Sequence, residues 1–120
     1  MTNATNTISP DDRLTMAFEA LAGQDIFAKE RYYCCQSCGC QAVSEEADAE
    51  SRGYVFYHEQ DAESKDAGED FYLAFGTISG KQTAEQVGAE IVATLKAHGI
   101  NTDWNGDAGT RIRVLWKYQR

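Results

Sequence analysis

Gly53-Tyr54-Val55-Phe56-Tyr57-His58 is the stretch of sequence that decides the fold. Its aromatic and β-branched residues, which follow a glycine, are typical of a strand. A second run of the same character, Phe71-Tyr72-Leu73-Ala74-Phe75, ends at Gly76. Two such runs in sequence favour an antiparallel pair. The connection over residues 59–70 contains six acidic residues and one lysine, and we expect it to be a mobile hairpin loop.

Two helices are indicated by capping residues and by apolar residues at helical spacing. Ser9 fits the N-cap of the first helix, and Gly23 ends it. Thr83 and Gln86 fit the capping box of the second helix, which Gly99 ends. The apolar stripes are Leu14, Ala17, Phe18, Leu21 and Ala22 in the first helix and Val87, Ile91 and Leu95 in the second. Each helix therefore has an apolar face to bury.

Weaker signals complete the predicted fold. Residues 26–34 contain Ile, Phe and Tyr and predict a strand, while residues 41–50 predict a short, exposed helix. Asn105-Gly106 predicts the turn of a final hairpin between residues 100–104 and 111–118. The order of these elements predicts an α+β fold, with a mainly antiparallel sheet of about four to five strands and two main helices packed on one face.

Composition bounds the class of protein. A chain of 120 residues with 42% apolar and 25% charged residues is typical of one globular domain. We expect residues 10–120 to form this domain and residues 1–9 to be a disordered leader. The leader has no basic segment and no apolar segment, which predicts no secretory signal and a cytoplasmic, reducing location. No apolar run is long enough for a membrane span.

The net charge of −8 limits the classes of partner. It argues against nucleic acid bound through a broad basic surface, and against binding to an anionic membrane. It permits a protein partner with a basic surface, for example if the domain is of the inhibitor or immunity type. Negative charge also simply keeps proteins soluble. A basic protein partner is therefore an expectation, and the sequence carries no signal for the oligomeric state.

All four cysteines of the chain fall within Cys34-Cys35-Gln36-Ser37-Cys38-Gly39-Cys40. A C-x-x-C turn can bring two thiolates to one metal, and the glycine after it would let backbone amides turn toward the sulfurs. Structural zinc takes four ligands, so two more are needed. Cys34 and His58 are the candidates, provided that the strand breaks before the two adjacent cysteines. We therefore predict a zinc site made by Cys34, Cys35, Cys38 and His58.

Three other interpretations of these residues stay open. A strand that runs into C-x-x-C and then a helix is typical of a thiol redox protein, with Cys35 and Cys38 as the dithiol. Thioredoxin-like folds need a proline facing the pair, and Pro10 is the only proline here. His58 beside acidic residues could act as a general base toward Cys34 or Cys35. Finally, the thiols could be small, half-buried hydrophobes without any ligand.

Several segments together resemble a bacterial family of domains of unknown function. The most specific are Cys34-Cys35-Gln36-Ser37-Cys38-Gly39 and Gly53-Tyr54-Val55-Phe56-Tyr57-His58, the latter followed by Gln60-Asp61. The similarity runs from Asp12 to the C-terminus. The resemblance implies no activity, and it leaves Cys40 outside the shared pattern. The positions that it groups together are Cys34, Cys35, Cys38, His58, Gln60 and Asp61.

These observations predict a small, acidic, cytoplasmic domain that acts by binding rather than by catalysis. Its Cys/His site would hold zinc as a structural ion. The alternative from another functional class is a thiol redox protein or sensor that uses Cys35 and Cys38.

Overall fold

The structure, a computed structural model, describes residues 9–48, 50–78, 80 and 82–118. Over these residues the chain forms four α-helices, five strands and one 3₁₀ helix. The helices are α1 (Pro10–Ala22), α2 (Gln36–Glu46), α3 (Glu59–Asp66) and α4 (Ala84–Ala97), and the 3₁₀ helix is Trp116–Tyr118. The strands are β1 (Ile26–Lys29), β2 (Gly53–Phe56), β3 (Phe71–Thr77), β4 (Thr102–Asp103) and β5 (Ile112–Val114). None of the described helices has the length and apolar character needed to cross a membrane.

The five strands form one sheet in the order β1-β2-β3-β5-β4. The predicted antiparallel pair is confirmed as β2 and β3, with Tyr54 opposite Gly76 and Phe56 opposite Ala74. β5 pairs in antiparallel fashion with both β3 and β4. β1 joins β2 at the edge of the sheet as a parallel strand. The predicted α+β fold with a mainly antiparallel sheet is therefore confirmed.

Alternating side chains divide the core between the two faces of the sheet. On one face, α1 and α4 pack their predicted apolar stripes against strand residues that include Val55 and Leu73, except that Ala22 is exposed. This arrangement confirms the prediction of two main helices on one face. On the other face, α2 packs Val43 against a smaller cluster that includes Phe56 and Ala74. The cysteine-containing helix thus lies alone over the second face among the described elements.

Both predicted helix starts are confirmed. The Ser9 hydroxyl accepts a hydrogen bond from the Asp12 amide at 3.1 Å. Thr83 and Gln86 form the predicted reciprocal capping box, with hydrogen bonds of 3.1 and 2.9 Å. Residues 1–8 of the predicted leader lie outside the described residues.

The predicted mobile loop over residues 59–70 is wrong for most of its length, because Glu59–Asp66 form α3. His58 is the N-cap of this helix. Its Nδ1 accepts from the Asp61 amide at 3.3 Å, and the Asp61 carboxylate accepts from the His58 amide at 3.3 Å. This reciprocal box satisfies two amides that a helix start leaves without partners. The polar composition of the segment concealed the helix.

A buried charge fixes α3 against the rest of the domain. The Lys65 side chain is only 5% exposed and pairs with the carboxylate of Asp11 in α1. Its ammonium nitrogen also lies 5.0 Å from the centroid of the Trp116 ring. Because a buried ammonium without a partner is strongly unfavourable, these contacts specify where the helix sits.

The strand predicted at residues 26–34 ends early, and the helix predicted at residues 41–50 begins early. Arg31 and Tyr33 have left-handed backbone conformations, with φ of 51° and 64°. Non-glycine residues rarely adopt such angles, and a strand cannot continue through them. α2 then starts directly after this break and contains the C-x-x-C segment in its first turn. The break before Cys34 meets the condition under which adjacent cysteines can face one ion.

The final hairpin is present, but its strands are short. β4 and β5 pair Thr102 with Val114 and Asp103 with Arg113. The strand predicted over residues 111–118 stops at Val114, and the chain turns into the 3₁₀ helix, where Trp116 is buried.

Candidate metal centre

The backbone before the cysteines is held beside the junction of β2 and α3. The Tyr32 amide donates to the Tyr57 carbonyl at 2.8 Å, and the Glu59 amide donates to the Tyr33 carbonyl at 2.9 Å. The left-handed conformation of Tyr33 then turns the chain directly before Cys34. A left-handed non-glycine residue is held against strain by its surroundings, and such residues cluster at functional sites.

Glu46, at the end of α2, ties that helix to the segment before the cysteines. The hydroxyls of Tyr32 and Tyr33 donate to its two carboxylate oxygens, each at 2.6 Å. These two hydrogen bonds lower the pKa of the Glu46 carboxyl. Burial, followed by the bond to Glu46, raises the pKa of Tyr32. Sequence spacing gives no signal for this contact, because it depends on how α2 lies across the sheet.

Gly39 has a packing role that differs from the predicted one. A Cβ atom on Gly39 would lie 2.5 Å from the Phe56 ring, which is closer than real Cβ atoms approach. The glycine therefore lets the first turn of α2 lie directly on β2. The expectation that this glycine turns amides toward the sulfurs stays a prediction. Gly39 lies inside the helix, and the amide that acts on a sulfur is that of Cys38, which acts on Cys35.

Three of the four sulfurs meet at the start of α2. The Cys34 sulfur lies 3.9 Å from the Cys35 sulfur and 3.8 Å from the Cys38 sulfur. All three sulfurs lie within 4.8 Å of one another, and together they could hold a metal ion. Cys34 and Cys38 are exposed and Cys35 is half-buried. We call these three residues the thiol cluster.

The environment at the helix start separates the two thiols of the C-x-x-C pair. Cys35 is the N-cap of α2, although it forms no conventional capping hydrogen bond. The Cys38 amide, the Ser37 hydroxyl and the neighbouring thiols nevertheless lower the pKa of Cys35 to about 6. The neighbouring sulfurs of Cys35 and Cys34 raise the pKa of Cys38 to about 11. The surroundings therefore favour the thiolate at Cys35 and the thiol at Cys38.

His58 is not a member of the thiol cluster. Its Nδ1 accepts from the Asp61 amide, and its Nε2 lies 3.1 Å from the Asp61 carboxylate. Arg111 donates to the same carboxylate at 2.6 Å. Burial lowers the pKa of the imidazole against the opposing effect of Asp61, and this favours the neutral form. The three side chains therefore form a largely buried polar network at the start of α3.

This network affects two predictions for His58. A neutral imidazole has one acceptor nitrogen, and in this structure the capping bond occupies it. Zinc coordination by His58, or proton abstraction from Cys34 or Cys35, would require that bond to break. Both roles stay predictions. The spacing of His58 and Asp61, three residues apart at the end of a strand, is a sequence signal for this capping box.

Cys40 lies in a separate environment. Its sulfur is 4.0 Å from the Tyr54 hydroxyl, and it lines an open groove of about 430 Å³ between α2 and the sheet, together with Val43 and Ile78. Burial, followed by the neighbouring Cys40, raises the pKa of Tyr54 to about 12. Cys40 is therefore a partly buried packing residue, consistent with its place outside the shared sequence pattern.

Comparisons with known proteins give a family but no activity. No curated protein and no solved structure shows significant similarity to the chain. A family model described as a domain of unknown function (DUF6891) matches residues 5–120, almost the whole chain. The resemblance to a family of unknown function is thereby confirmed, and the chain belongs to the DUF6891 family.

Proposed function

We propose that this domain is a metal-binding module in which Cys34, Cys35 and Cys38 hold one zinc ion as thiolates. The separation of the sulfurs is the observation that carries the proposal. Zinc–sulfur bonds of about 2.3 Å in tetrahedral geometry put two sulfurs about 3.8 Å apart. Two of the three sulfur pairs of the thiol cluster are separated by 3.8 and 3.9 Å. Both distances that involve the Cys34 sulfur are thus those that zinc requires, and the third pair lies within 4.8 Å.

The electrostatic setting supports the same proposal. Thiolate, rather than thiol, is the metal ligand, and a helix N-terminus stabilises thiolate. Cys35 is the N-cap of α2, and its pKa is lowered to about 6. Zinc with three thiolates carries a net negative charge, which the positive end of the helix favours. A reducing, cytoplasmic location would keep the thiols available, and it remains part of the proposal.

Native mass spectrometry tests the proposal directly. The domain is purified without a metal-affinity tag and is measured before and after treatment with a chelator. We expect about one zinc ion per chain before treatment and none after it. Cys35→Ser should abolish binding, whereas Cys40→Ser, the matched control, should retain it. Absence of zinc from protein that has been reconstituted with zinc would contradict the proposal.

A second candidate function is thiol redox chemistry at Cys35 and Cys38. Its specific support is the contrast between the lowered pKa of Cys35 and the raised pKa of Cys38, which is the pattern of an attacking thiolate beside a resolving thiol. The third thiol distinguishes the two functions. Cys34→Ser should remove a metal ligand while leaving the dithiol intact.

A redox assay with a small disulfide substrate measures this distinction. If the protein is a dithiol oxidoreductase, the Cys34→Ser variant should turn over at the wild-type rate and Cys35→Ser should be inactive. If the metal proposal is correct, neither the Cys34→Ser variant nor the Cys35→Ser variant should turn over the substrate. Both variants should have lost zinc.

A basic protein partner remains a proposal that rests on the net charge of −8. Attraction between exposed charges is screened by salt over about 10 Å at 0.1 M ionic strength. Capture of a basic protein that weakens steeply as salt is raised would support it, and salt-independent capture would contradict it.

A further inference from the structure

We propose that the thiol cluster is an exchange site, in which the ion is passing cargo and an external thiolate enters as its fourth ligand. This inference rests on the proposed zinc binding and goes beyond the structural role predicted from the sequence. It follows from the location of the three ligands, from their exposure and from the position left open on the ion.

The ligands are too close in sequence for the ion to hold the fold together. All three lie between Cys34 and Cys38 at one end of one helix. A structural ion stabilises a fold by joining segments that are distant along the chain. This ion would close a loop of a few residues only. An unfolded chain would retain the same local C-C-x-x-C ligands, so binding would favour the folded state little.

The helix that carries the thiols is fixed without a metal. Gly39 lies against the Phe56 ring, and Val43 belongs to the buried cluster on the second face of the sheet. At the other end of α2, Glu46 accepts hydrogen bonds from two tyrosine hydroxyls. None of the three cysteines belongs to either buried cluster. The thiols therefore sit on an ordered support that does not need the ion.

Zinc takes four ligands, so an ion held by three protein sulfurs has one coordination position left for another donor. Cys34 and Cys38 are exposed, and the ring of His58, the nitrogen ligand predicted from the sequence, is engaged by Asp61. Among the residues that the structure describes, no further metal-ligating side chain joins the three sulfurs. The fourth position is therefore open to a donor from outside this group, and thiolate is the donor that matches the soft sulfur set.

The exchange step needs no oxidant or reductant. The incoming thiol releases its proton to solvent, and its thiolate binds the ion as the fourth ligand. A bond from the ion to Cys34 or Cys38 then breaks, and that sulfur takes up a proton. Repetition of the step transfers the ion to the incoming thiols.

Zinc release from the loaded domain measures the exchange. The zinc-loaded protein is mixed with a zinc-responsive dye and with increasing concentrations of glutathione. We expect the release rate to rise in proportion to glutathione, by about tenfold or more at millimolar thiol, because the thiolate attacks the ion directly. S-methylglutathione, which has the same charge but no free thiol, is the matched control and should not accelerate release. A rate that is independent of glutathione would overturn the exchange proposal.

Two further measurements separate this inference from the proposed function. If the reconstituted protein contains no zinc, the metal proposal itself fails before any exchange is measured. If zinc is bound, thermal unfolding of the metal-free protein decides its role. We expect the midpoint to fall by less than about 4 °C on zinc removal. Loss of cooperative unfolding in the metal-free protein would show that the ion is structural and would overturn the exchange proposal.

Discussion

The four α-helix starts in the described part of the chain fall into two kinds. α1, α3 and α4 begin at Ser9, His58 and Thr83, and each of these side chains accepts a hydrogen bond from an amide in the first turn. α2 begins at Cys35, which forms no conventional capping bond. Where the other helices have a capping bond, this helix start has three sulfurs that lie within 4.8 Å of one another.

Under the proposed function, this contrast separates the groups that stabilise the fold from the groups that bind the ion. A capped helix start has its amides satisfied by its own side chain and offers little to a ligand. The start of α2 has its positive partial charge next to the thiols, and none of these three cysteines belongs to a buried cluster. The predictions below test whether substitutions at the two kinds of helix start have opposite consequences.

The largest effect should follow from the removal of a sulfur at the start of α2. Cys35→Ala should weaken zinc binding by about 100-fold or more, because it removes a ligand and not merely its support. The stability of the metal-free protein should change little. Competition with a chromophoric chelator measures the affinity, and chemical denaturation measures the stability. A variant with unchanged affinity would contradict the assignment of Cys35 as a ligand.

The next largest effect should arise where α2 meets the sheet. Gly39→Ala should destabilise the fold by about 1–3 kcal/mol, because the new methyl group must displace the buried Phe56 ring. The intrinsic preference of alanine for helices offsets part of this loss. Gln41→Ala, an exposed position in the same helix, is the matched control. If urea denaturation gives the two variants the same free energy of unfolding, the close approach of Gly39 to the Phe56 ring does not exclude a side chain at this position.

Removal of a conventional cap should affect stability and leave metal binding unchanged. Thr83→Ala should destabilise the domain by about 1 kcal/mol, since the Gln86 amide loses its acceptor. Zinc affinity should equal that of the wild type. Urea denaturation and chelator competition on this variant complete the comparison with Cys35→Ala. A Thr83→Ala variant with weakened zinc binding would break the proposed separation.

The smallest effect concerns the rate of alkylation of the metal-free protein. The pKa of Cys35 is lowered to about 6. Because the thiolate is the reactive form, the rate at which iodoacetamide alkylates Cys35 should rise with pH up to about 6. Above that pH the rate should level off. The alkylation rate of an ordinary thiol keeps rising until about pH 8.5. The gain at pH 7 is a few-fold, because nucleophilicity falls with pKa. Peptide mass spectrometry of the alkylated wild-type protein gives the rate at each cysteine, with Cys40 as the internal control. A rate at Cys35 that keeps rising to about pH 8.5 would contradict the lowered pKa.

Much of the fold could be predicted because its signals are local. Capping residues at Ser9 and Thr83 and the aromatic runs of β2 and β3 each act within a few residues. The start of α2 could not be predicted in the same way. It depends on the left-handed conformations of Arg31 and Tyr33, which no local preference of these residues indicates.

The candidate site was predicted in part for the same reason. Cys34, Cys35 and Cys38 lie together because they are neighbours in sequence. The place of His58 is set by tertiary contacts, and its imidazole is occupied by Asp61. The support from Glu46 joins the two ends of α2 through packing on the sheet, and no spacing in the sequence encodes it.

X-ray absorption spectroscopy of the zinc-loaded domain tests the central claim most directly. The account predicts three sulfur neighbours at about 2.3 Å and one lighter neighbour, oxygen in the absence of added thiol, at about 2.0–2.2 Å. Addition of glutathione should replace the lighter neighbour by a fourth sulfur. Two sulfur neighbours, or the scattering pattern of an imidazole from His58, would contradict the three-thiolate site.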